Sequence, residues 1–282
     1  MIFWIASYPK SGNTWLRALL ASYFFSKDGF FSENLLENIN QFPQKKYFEH
    51  FDYDKNIPTD TSRFWIKAQE KINQDKKIRF FKTHNIYGTL NNENFSNKFN
   101  SIGCLYIIRD PRNVITSLKN HYELNYNSSL DFMNSETKYI YDTNNQNDYS
   151  DFQFISSWEK NYQSWLSQRE IQVKLIKYEE LQKSTFSVFK EIIEFIYSTI
   201  KKPHKFDKNK AKNAVSSTSF QKLSNYEKER GFKESVLSKS EKKKIPFFFL
   251  GPKNDWSKII DEKFKAKINK NFEKNLKELN YD

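Results

Sequence analysis

The residues best suited to chemistry form one short segment between a predicted strand and a predicted helix. Residues 7–15 read Ser-Tyr-Pro-Lys-Ser-Gly-Asn-Thr-Trp. A strand that leads into a helix through a small-residue loop directs the first N–H groups of the helix at one point, and the helix dipole favours an anion there. Lys10 adds a positive charge, Ser11 and Thr14 add hydroxyl donors, and Gly12 permits close backbone approach. The segment therefore predicts a phosphate-binding loop.

This loop differs from the Walker A loop of P-loop kinases. Walker A requires Gly-x-x-x-x-Gly-Lys-Ser/Thr, whereas here the lysine precedes the glycine. Pro-Lys-Ser-Gly-x-Thr-Trp instead closely resembles the 5′-phosphosulfate loop of sulfotransferases that use 3′-phosphoadenylyl sulfate (PAPS). The resemblance implies that the N–H groups of residues 11–15, among them that of Asn13, hold the 5′-phosphate. It also implies that Lys10 neutralises the bridging oxygen and that Trp15 offers a flat face to the purine.

A second motif occupies the junction of another predicted strand and helix. Residues 105–117 read Leu-Tyr-Ile-Ile-Arg-Asp-Pro-Arg-Asn-Val-Ile-Thr-Ser. Asp110 can cap the helix and Pro111 suits its first turn, so Arg109 stands at the carboxyl end of a strand, where open α/β sheets bind ligands. The motif resembles the family's 3′-phosphate element, in which a serine follows the arginine by eight residues, as Ser117 does here. By itself it would also suit an ordinary strand–helix junction with an exposed arginine.

A third motif, Lys82-Thr-His84, follows the predicted strand Ile78–Phe81. Alternate residues of a strand point the same way, so Lys82 and His84 can face one site. The motif matches the family's Lys-Thr/Ser-His element, which implies that His84 deprotonates the acceptor and that Lys82 contacts the transferring sulfuryl oxygens. The chain has four histidines, and only His84 combines a strand end with a lysine two residues earlier.

Two shorter segments resemble the adenine-binding elements of the same family. Lys-Tyr-Glu-Glu-Leu at 177–181 would place Tyr178 near the adenine, and Ser-Thr-Ser-Phe at 217–220 would place Thr218 and Phe220 there. Each of these residues could equally belong to the core.

The last family motif, Arg-Lys-Gly-x-x-Gly-Asp-Trp, is only partly kept. Residues 249–256 read Phe-Leu-Gly-Pro-Lys-Asn-Asp-Trp, so Gly251 and the Asp-Trp pair remain in register while the two cations and the second glycine are replaced. In the family those cations help to hold the 3′-phosphate, and charge-assisted hydrogen bonds contribute about 1.5–3 kcal/mol each. Gly251 can still present its N–H group, and Lys253, Arg112 or Arg230 are candidates to replace the charge.

Composition bounds the classes of protein that fit. The 282 residues carry 38% hydrophobic and 17% aromatic residues, enough for a core rich in Phe and Tyr, and a net charge of +12. A basic surface suits a nucleotide, an acidic glycan, nucleic acid or an anionic membrane. The single cysteine, Cys104, excludes an internal disulfide and a cysteine-based metal site. No apolar run approaches the length of a membrane span and the strand at Ile2 leaves no room for a signal peptide, so we expect a cytoplasmic protein.

Buried strands that alternate with helices indicate a parallel sheet with helices on both faces. We therefore predict one α/β domain, residues 1–282, with a P-loop-like central sheet. Two polar stretches without clear periodicity, 28–77 and 123–151, are predicted to be lids or binding loops. The predicted strands are Ile2–Ala6, Ile78–Phe81, Leu105–Ile108 and Val173–Ile176. The predicted helices are Thr14–Phe25, Pro111–Tyr122, Phe154–Arg169, Phe186–Tyr197, Ser219–Arg230 and Asp261–Leu279.

The resemblance implies a PAPS-dependent sulfotransferase that moves a sulfuryl group to a hydroxyl or amine, releases PAP, and needs neither a metal nor nucleic acid. An ATP-dependent kinase of the P-loop type is the first alternative, and a non-catalytic, basic nucleic-acid-binding protein is the second. The acceptor and the oligomeric state stay open, since the family's dimerisation pattern has no counterpart after Trp256. Six aromatic residues of the polar stretches could line an acceptor pocket or pack in the core: Phe42, Tyr47, Phe51, Trp65, Tyr126 and Tyr139.

Overall fold

At the centre of the fold lies a five-stranded parallel sheet, in which the strands at residues 40–41, 79–83, 2–6, 101–108 and 172–177 lie side by side in that order. The computed structural model describes residues 1–142, 148–238 and 243–281. Its strands are β1 Ile2–Ala6, β2 Asn40–Gln41, β3 Arg79–Thr83, β4 Thr89–Leu90, β5 Glu93–Asn94, β6 Ser101–Ile108, β7 Tyr139–Ile140, β8 Gln153–Phe154, β9 Gln172–Lys177, β10 Val236–Leu237 and β11 Lys244–Ile245. Its helices are α1 Asn13–Phe25, α2 Trp65–Asn73, α3 Pro111–Tyr122, α4 Tyr126–Asn134, α5 Trp158–Ser167, α6 Tyr178–Lys183, α7 Thr185–Thr199, α8 Lys208–Ser217, α9 Phe220–Arg230, α10 Trp256–Ile259 and α11 Glu262–Glu278.

The middle strand, β1, is buried along its whole length because helices cover both faces of the sheet. Trp4 points into a core shared with α5 and α11, and Phe3 and Ile5 point into a second core shared with α1 and α7. This alternation follows from the two-residue period of a strand. The predicted α/β class, with a parallel sheet between two helical layers, is confirmed.

The register brings the carboxyl ends of three strands to one edge of the sheet. Ala6 of β1 lies opposite Thr83 of β3 and Tyr106 of β6. The residues that follow these strands are consequently neighbours in space. The phosphate-binding loop, the Lys-Thr-His motif and the arginine motif all begin at this edge.

Four predictions of secondary structure were wrong in part. The strand predicted from Leu105 begins at Ser101. The helix predicted from Phe154 begins at Trp158, because Phe154 lies in β8 and Ser157 caps the helix by accepting a hydrogen bond from the Lys160 N–H group. The two stretches predicted to be irregular contain helices, α2 in the first and α4 in the second. Both helices are short, with nine residues each, so the sequence gives only two turns of periodicity. Residues 143–147 of the second stretch lie outside the described residues.

Within the described ranges, no helix is both long enough and apolar enough to cross a bilayer. Cys104 is buried in β6 as a free thiol.

Candidate active site

A cleft of about 1100 Å³ opens at the carboxyl edge of the sheet. It collects side chains from all the motifs that the sequence singled out. The predicted site residues that line it are Lys10, Gly12, Asn13, Thr14, Trp15, Lys82, His84, Arg109, Ser117, Tyr178, Phe220 and Gly251.

Two predicted site residues lie outside this lining. Thr218 is fully buried, and its hydroxyl group donates to the Ala214 carbonyl at the end of α8, 2.8 Å away. Ser11 is also buried, although its Oγ has no hydrogen-bond partner. The Thr218 hydroxyl group therefore satisfies a backbone carbonyl at the end of α8, whereas the Ser11 hydroxyl group, within the phosphate-binding loop, has no partner.

The loop geometry requires glycine at position 12. Gly12 has a φ of 102°, and a Cβ atom placed there would come 2.5 Å from Cδ2 of Tyr178. Lys10 also has a positive φ, 66°, so the backbone turns sharply before α1 begins at Asn13. The Asn13 amide group fastens this turn by donating to the Ile5 carbonyl and to Ser7 Oγ. The N-terminus of α1 is thereby held open towards the cleft.

The Lys10 ammonium group lies inside the cleft, 4.0 Å above the ring of Phe247. Burial lowers the pKa of Lys10 to about 7, and the carboxylate of Glu234 opposes that shift. Burial also lowers the pKa of Lys82, again against Glu234. Both ammonium groups would gain from an anionic ligand, since it would restore their preference for the charged form.

His84 follows β3 and is held on three sides. Its Nδ1 lies 2.7 Å from the Ser7 carbonyl oxygen, its backbone N–H group donates to Gln153 Oε1, and its carbonyl accepts from Asn161. A carbonyl oxygen can only accept, so Nδ1 carries the proton and Nε2 keeps its lone pair. Burial, together with the charge of Lys82, lowers the pKa of His84 to about 3. The imidazole is therefore neutral at pH 7.

A second histidine, His121 of α3, lines the same cleft. Burial and the charge of Lys10 lower its pKa to about 3. His204 instead stacks on Tyr197 with ring centroids 3.7 Å apart, and His50 is exposed, so neither lines the cleft.

The arginine motif forms a second corner of the cleft, next to the loop, where Arg109 Nη1 lies 3.4 Å from the Lys10 carbonyl oxygen. Arg109 Nη1 lies 3.3 Å from Ser117 Oγ, and the guanidinium group stacks on the ring of Tyr178 at 4.3 Å. Arg109 Nε is buried without a partner. Tyr178 also meets Trp15 edge to face, so the corner combines cationic and aromatic surfaces.

The departures in the last motif change this corner in a specific way. Asn254, which replaces the second glycine, accepts from the Thr116 hydroxyl group and donates to Ser117 Oγ at 3.2 Å. Gly251 has a φ of 52°, and a Cβ atom on it would lie 2.3 Å from the Phe220 ring. Asn254 thus holds Ser117 of the arginine motif in place through a hydrogen bond.

None of the three cations suggested as replacements lines the cleft. Arg112 pairs with Asp110 and stacks on Trp256, Arg230 lies over the ring of Tyr226, and Lys253 is exposed. The suggestion that one of them supplies the missing charge stays a prediction that this geometry does not favour.

Glu234 is a charged residue of the cleft that sequence reasoning missed. It lies in the cleft, accepts from the Thr14 hydroxyl group at 2.6 Å, and forms an ion pair with Arg17 of α1. Burial raises the pKa of Glu234, but Lys82 and Arg17 outweigh that effect and hold it well below its usual range. The sequence carried no local signal for this contact, because Arg17 and Glu234 are 217 positions apart.

The six aromatic residues that could have lined an acceptor pocket pack in the core instead. They lie in or against the hydrophobic cluster around Trp4, and none of them lines the cleft. The described residues also include no group of three or more His, Cys, Asp or Glu side chains able to hold a metal ion.

Comparison with known proteins identifies the family of the chain. Residues 2–280 match the family model described as "Sulfotransferase domain". Luciferin sulfotransferase of Photinus pyralis is 25% identical over 230 residues, which cover 78% of this chain and 56% of that protein. The chain thus spans little more than half the length of that relative.

Solved structures share the fold at low identity. A mouse sulfotransferase, SULT7A1, in complex with PAP superposes with a TM-score of 0.60 at 20% identity, covering 98% of this chain and 83% of the other. Retinol dehydratase in complex with retinol and PAP gives a TM-score of 0.55 at 16% identity, covering 98% and 81%.

Proposed function

The chain belongs to the sulfotransferase domain family, and from that premise we propose that it transfers a sulfuryl group from PAPS to a hydroxyl or amine group of an acceptor. The whole chain, residues 1–282, would form one catalytic domain. PAPS serves as donor substrate, PAP is the product, and no metal takes part.

The convergence of three motifs on one cleft carries this proposal. Lys10 of the first loop, Arg109 of the second motif and His84 of the third lie far apart in the sequence but line the same cavity. A donor with two separate phosphate groups needs two separate anion sites, and the loop and the arginine corner would supply them.

Two polar atoms without partners, one in the phosphate-binding loop and one in a residue that lines the cleft, fit such a donor. Ser11 Oγ and Arg109 Nε are both buried without a hydrogen-bond partner. An unsatisfied buried donor costs about 1–3 kcal/mol, which a phosphate oxygen would recover. Trp15 and Tyr178, which contact each other edge to face, would offer the purine an aromatic surface, with Phe220 beside Gly251 at the same corner.

The donor supplies a sulfuryl group bonded to a phosphate that leaves readily. In the proposed step, the acceptor oxygen or nitrogen forms a bond to sulfur while the bond from sulfur to the bridging phosphate oxygen breaks, and its electron pair leaves with PAP. His84 Nε2 takes the acceptor proton, since Nδ1 already donates to Ser7. Lys10 stabilises the charge that grows on the leaving oxygen, and Lys82 contacts the sulfuryl oxygens.

Ligand-dependent melting tests the proposal. A ligand that binds the native state raises the melting temperature by mass action. We expect PAP to raise it more than AMP does, because only PAP reaches both anion sites, and we expect ATP with Mg²⁺ to have the smaller effect. Stabilisation by ATP and Mg²⁺ without stabilisation by PAP would instead establish the kinase alternative.

A further inference from the structure

The part of the cleft around the Lys82–His84 pair has two flanking walls. One is the segment 43–46, which follows β2; the Phe42 N–H group donates to the Lys82 carbonyl at 2.9 Å. The other is the segment 148–153, whose Gln153 side chain accepts from the His84 N–H group at 2.7 Å. The walls meet in an ion pair between Lys45 and Asp148, 3.0 Å apart.

Each wall presents a buried oxygen without a hydrogen-bond partner. Gln44 Oε1 lies on the first wall and Asp151 Oδ1 on the second, and both residues line the cleft. Asp151 is only 5% exposed, and its other oxygen already accepts from the Asp142 N–H group at 2.9 Å. Burial raises the pKa of Asp151 to about 6, as expected for a carboxylate with too few donors around it.

Two such oxygens in residues that line the cleft lack donors among the described residues. A buried acceptor without a partner costs about 1–3 kcal/mol, so these atoms suit a ligand that brings O–H or N–H groups to them. An apolar acceptor would leave both unsatisfied. The six aromatic residues considered from the sequence pack in or against the core, and the apolar side chains that do line the cleft, such as Ile140 and Phe247, cannot donate to either oxygen.

We propose that the acceptor is a polyhydroxylated, sugar-like molecule in which one group is sulfated while neighbouring hydroxyl groups donate to Gln44 Oε1 and Asp151 Oδ1. This inference rests on the proposed function. The class of acceptor follows from the two buried wall oxygens, which need hydrogen-bond donors that the described part of the protein does not supply. An amine next to a hydroxyl group would satisfy the same oxygens, and it is an arm of the test.

Matched acceptors with the same ring test the proposal. Transfer of labelled sulfur from PAPS is measured with myo-inositol, which has several hydroxyl groups, with cyclohexanol, which has one, and with 4-nitrophenol as an aromatic acceptor. Glucosamine supplies the amine arm. Sites built to hydrogen-bond a substrate discriminate strongly against analogues that lack the group, so we expect transfer to myo-inositol or glucosamine at least about tenfold faster than to cyclohexanol.

Variants tie that preference to the two oxygens. Asp151→Asn and Gln44→Met should each reduce the inositol-to-cyclohexanol ratio by about fivefold or more, whereas Glu70→Gln, a carboxylate-to-amide change at an exposed position of α2, should leave the ratio unchanged. Equal or faster transfer to cyclohexanol or 4-nitrophenol, an unchanged ratio in both variants, or no transfer to any acceptor while PAP binds would overturn the proposal. Failure of PAP to bind the wild type, measured separately by calorimetry, would instead count against the proposed function.

Discussion

The ion pair between Arg17 and Glu234 should couple helix α1 to the segment that leads into β10. We predict that Glu234→Gln lowers the melting temperature. Arg17 also donates to the Ile39 carbonyl, and the two charged side chains are 7% and 25% exposed. The variant would therefore leave a buried guanidinium group without its counter-charge.

The size of the effect follows from that burial. Removing one partner of a fully buried pair costs about 3–5 kcal/mol. The Glu234 side chain is a quarter exposed and glutamine keeps its hydrogen-bonding shape, so we expect about 2 kcal/mol. For a protein of 282 residues, that corresponds to a decrease of roughly 3–4 °C.

Thermal melting of four proteins measures the coupling: wild type, Glu234→Gln, Arg17→Met and the double variant. If the pair acts as a unit, the double variant loses less than the sum of the two single losses, by about 1–2 kcal/mol. The matched control is Glu37→Gln, which removes an exposed carboxylate of the same cleft that pairs with Lys233.

The same pair predicts a pH dependence. The pKa of Glu234 is depressed in the folded protein, so its stabilisation is complete above the unfolded value of about 4.3 and is lost as the pH falls towards the folded value. The difference in melting temperature between wild type and Glu234→Gln should therefore persist from pH 7 to pH 5 and shrink below about pH 4. Additive single losses, or a pH-independent difference, would refute the reasoning.

Three further predictions concern the proposed site. His84→Ala should lower turnover by about 10² to 10⁴-fold, while PAP affinity, measured by calorimetry, stays nearly constant. Because the pKa of His84 is about 3, the wild-type rate should lose no activity from His84 protonation between pH 8 and pH 5. Any acid limb of the rate profile that comes from this group should vanish in the variant. Arg109→Ala should weaken PAP binding more than Arg112→Ala, which should mainly lower the melting temperature because Arg112 is committed to Asp110; the reverse order would contradict the assigned 3′-phosphate site. Gly12→Ala should weaken PAP binding and lower the melting temperature, since its φ of 102° and its contact with Tyr178 leave no room for a methyl group, and wild-type values for both would show that the loop can adapt.

The sequence predicted the elements whose signals are local. The strand Ile2–Ala6 and the helix Pro111–Tyr122 have the predicted bounds, because the first is a continuous apolar run and the second begins with Asp110, whose side chain accepts from the Arg112 N–H group. Helix α8 was not predicted from the sequence, because only Ala211 and Ala214 are buried on it and the helix therefore lacks an apolar periodicity.

Contacts that join distant segments were beyond sequence reasoning. Glu234 reaches α1 from the far end of the chain, and Asn254 reaches Ser117 from a position where the family pattern has glycine. Both depend on how loops fold over the sheet edge. Thr218 shows the converse case, in which a motif match falls on a residue whose hydroxyl group serves its own helix.

The position of β1 in the middle of the sheet also governs how the protein folds during synthesis. Both neighbours of β1 are parallel to it, and they end at residues 83 and 108. At about 5–20 residues per second, roughly 5 to 20 seconds separate translation of this apolar strand from completion of its second partner. Such non-local pairing makes folding slow, so the nascent chain would leave this apolar strand unpaired, and open to chaperones or to aggregation, until its second partner is complete.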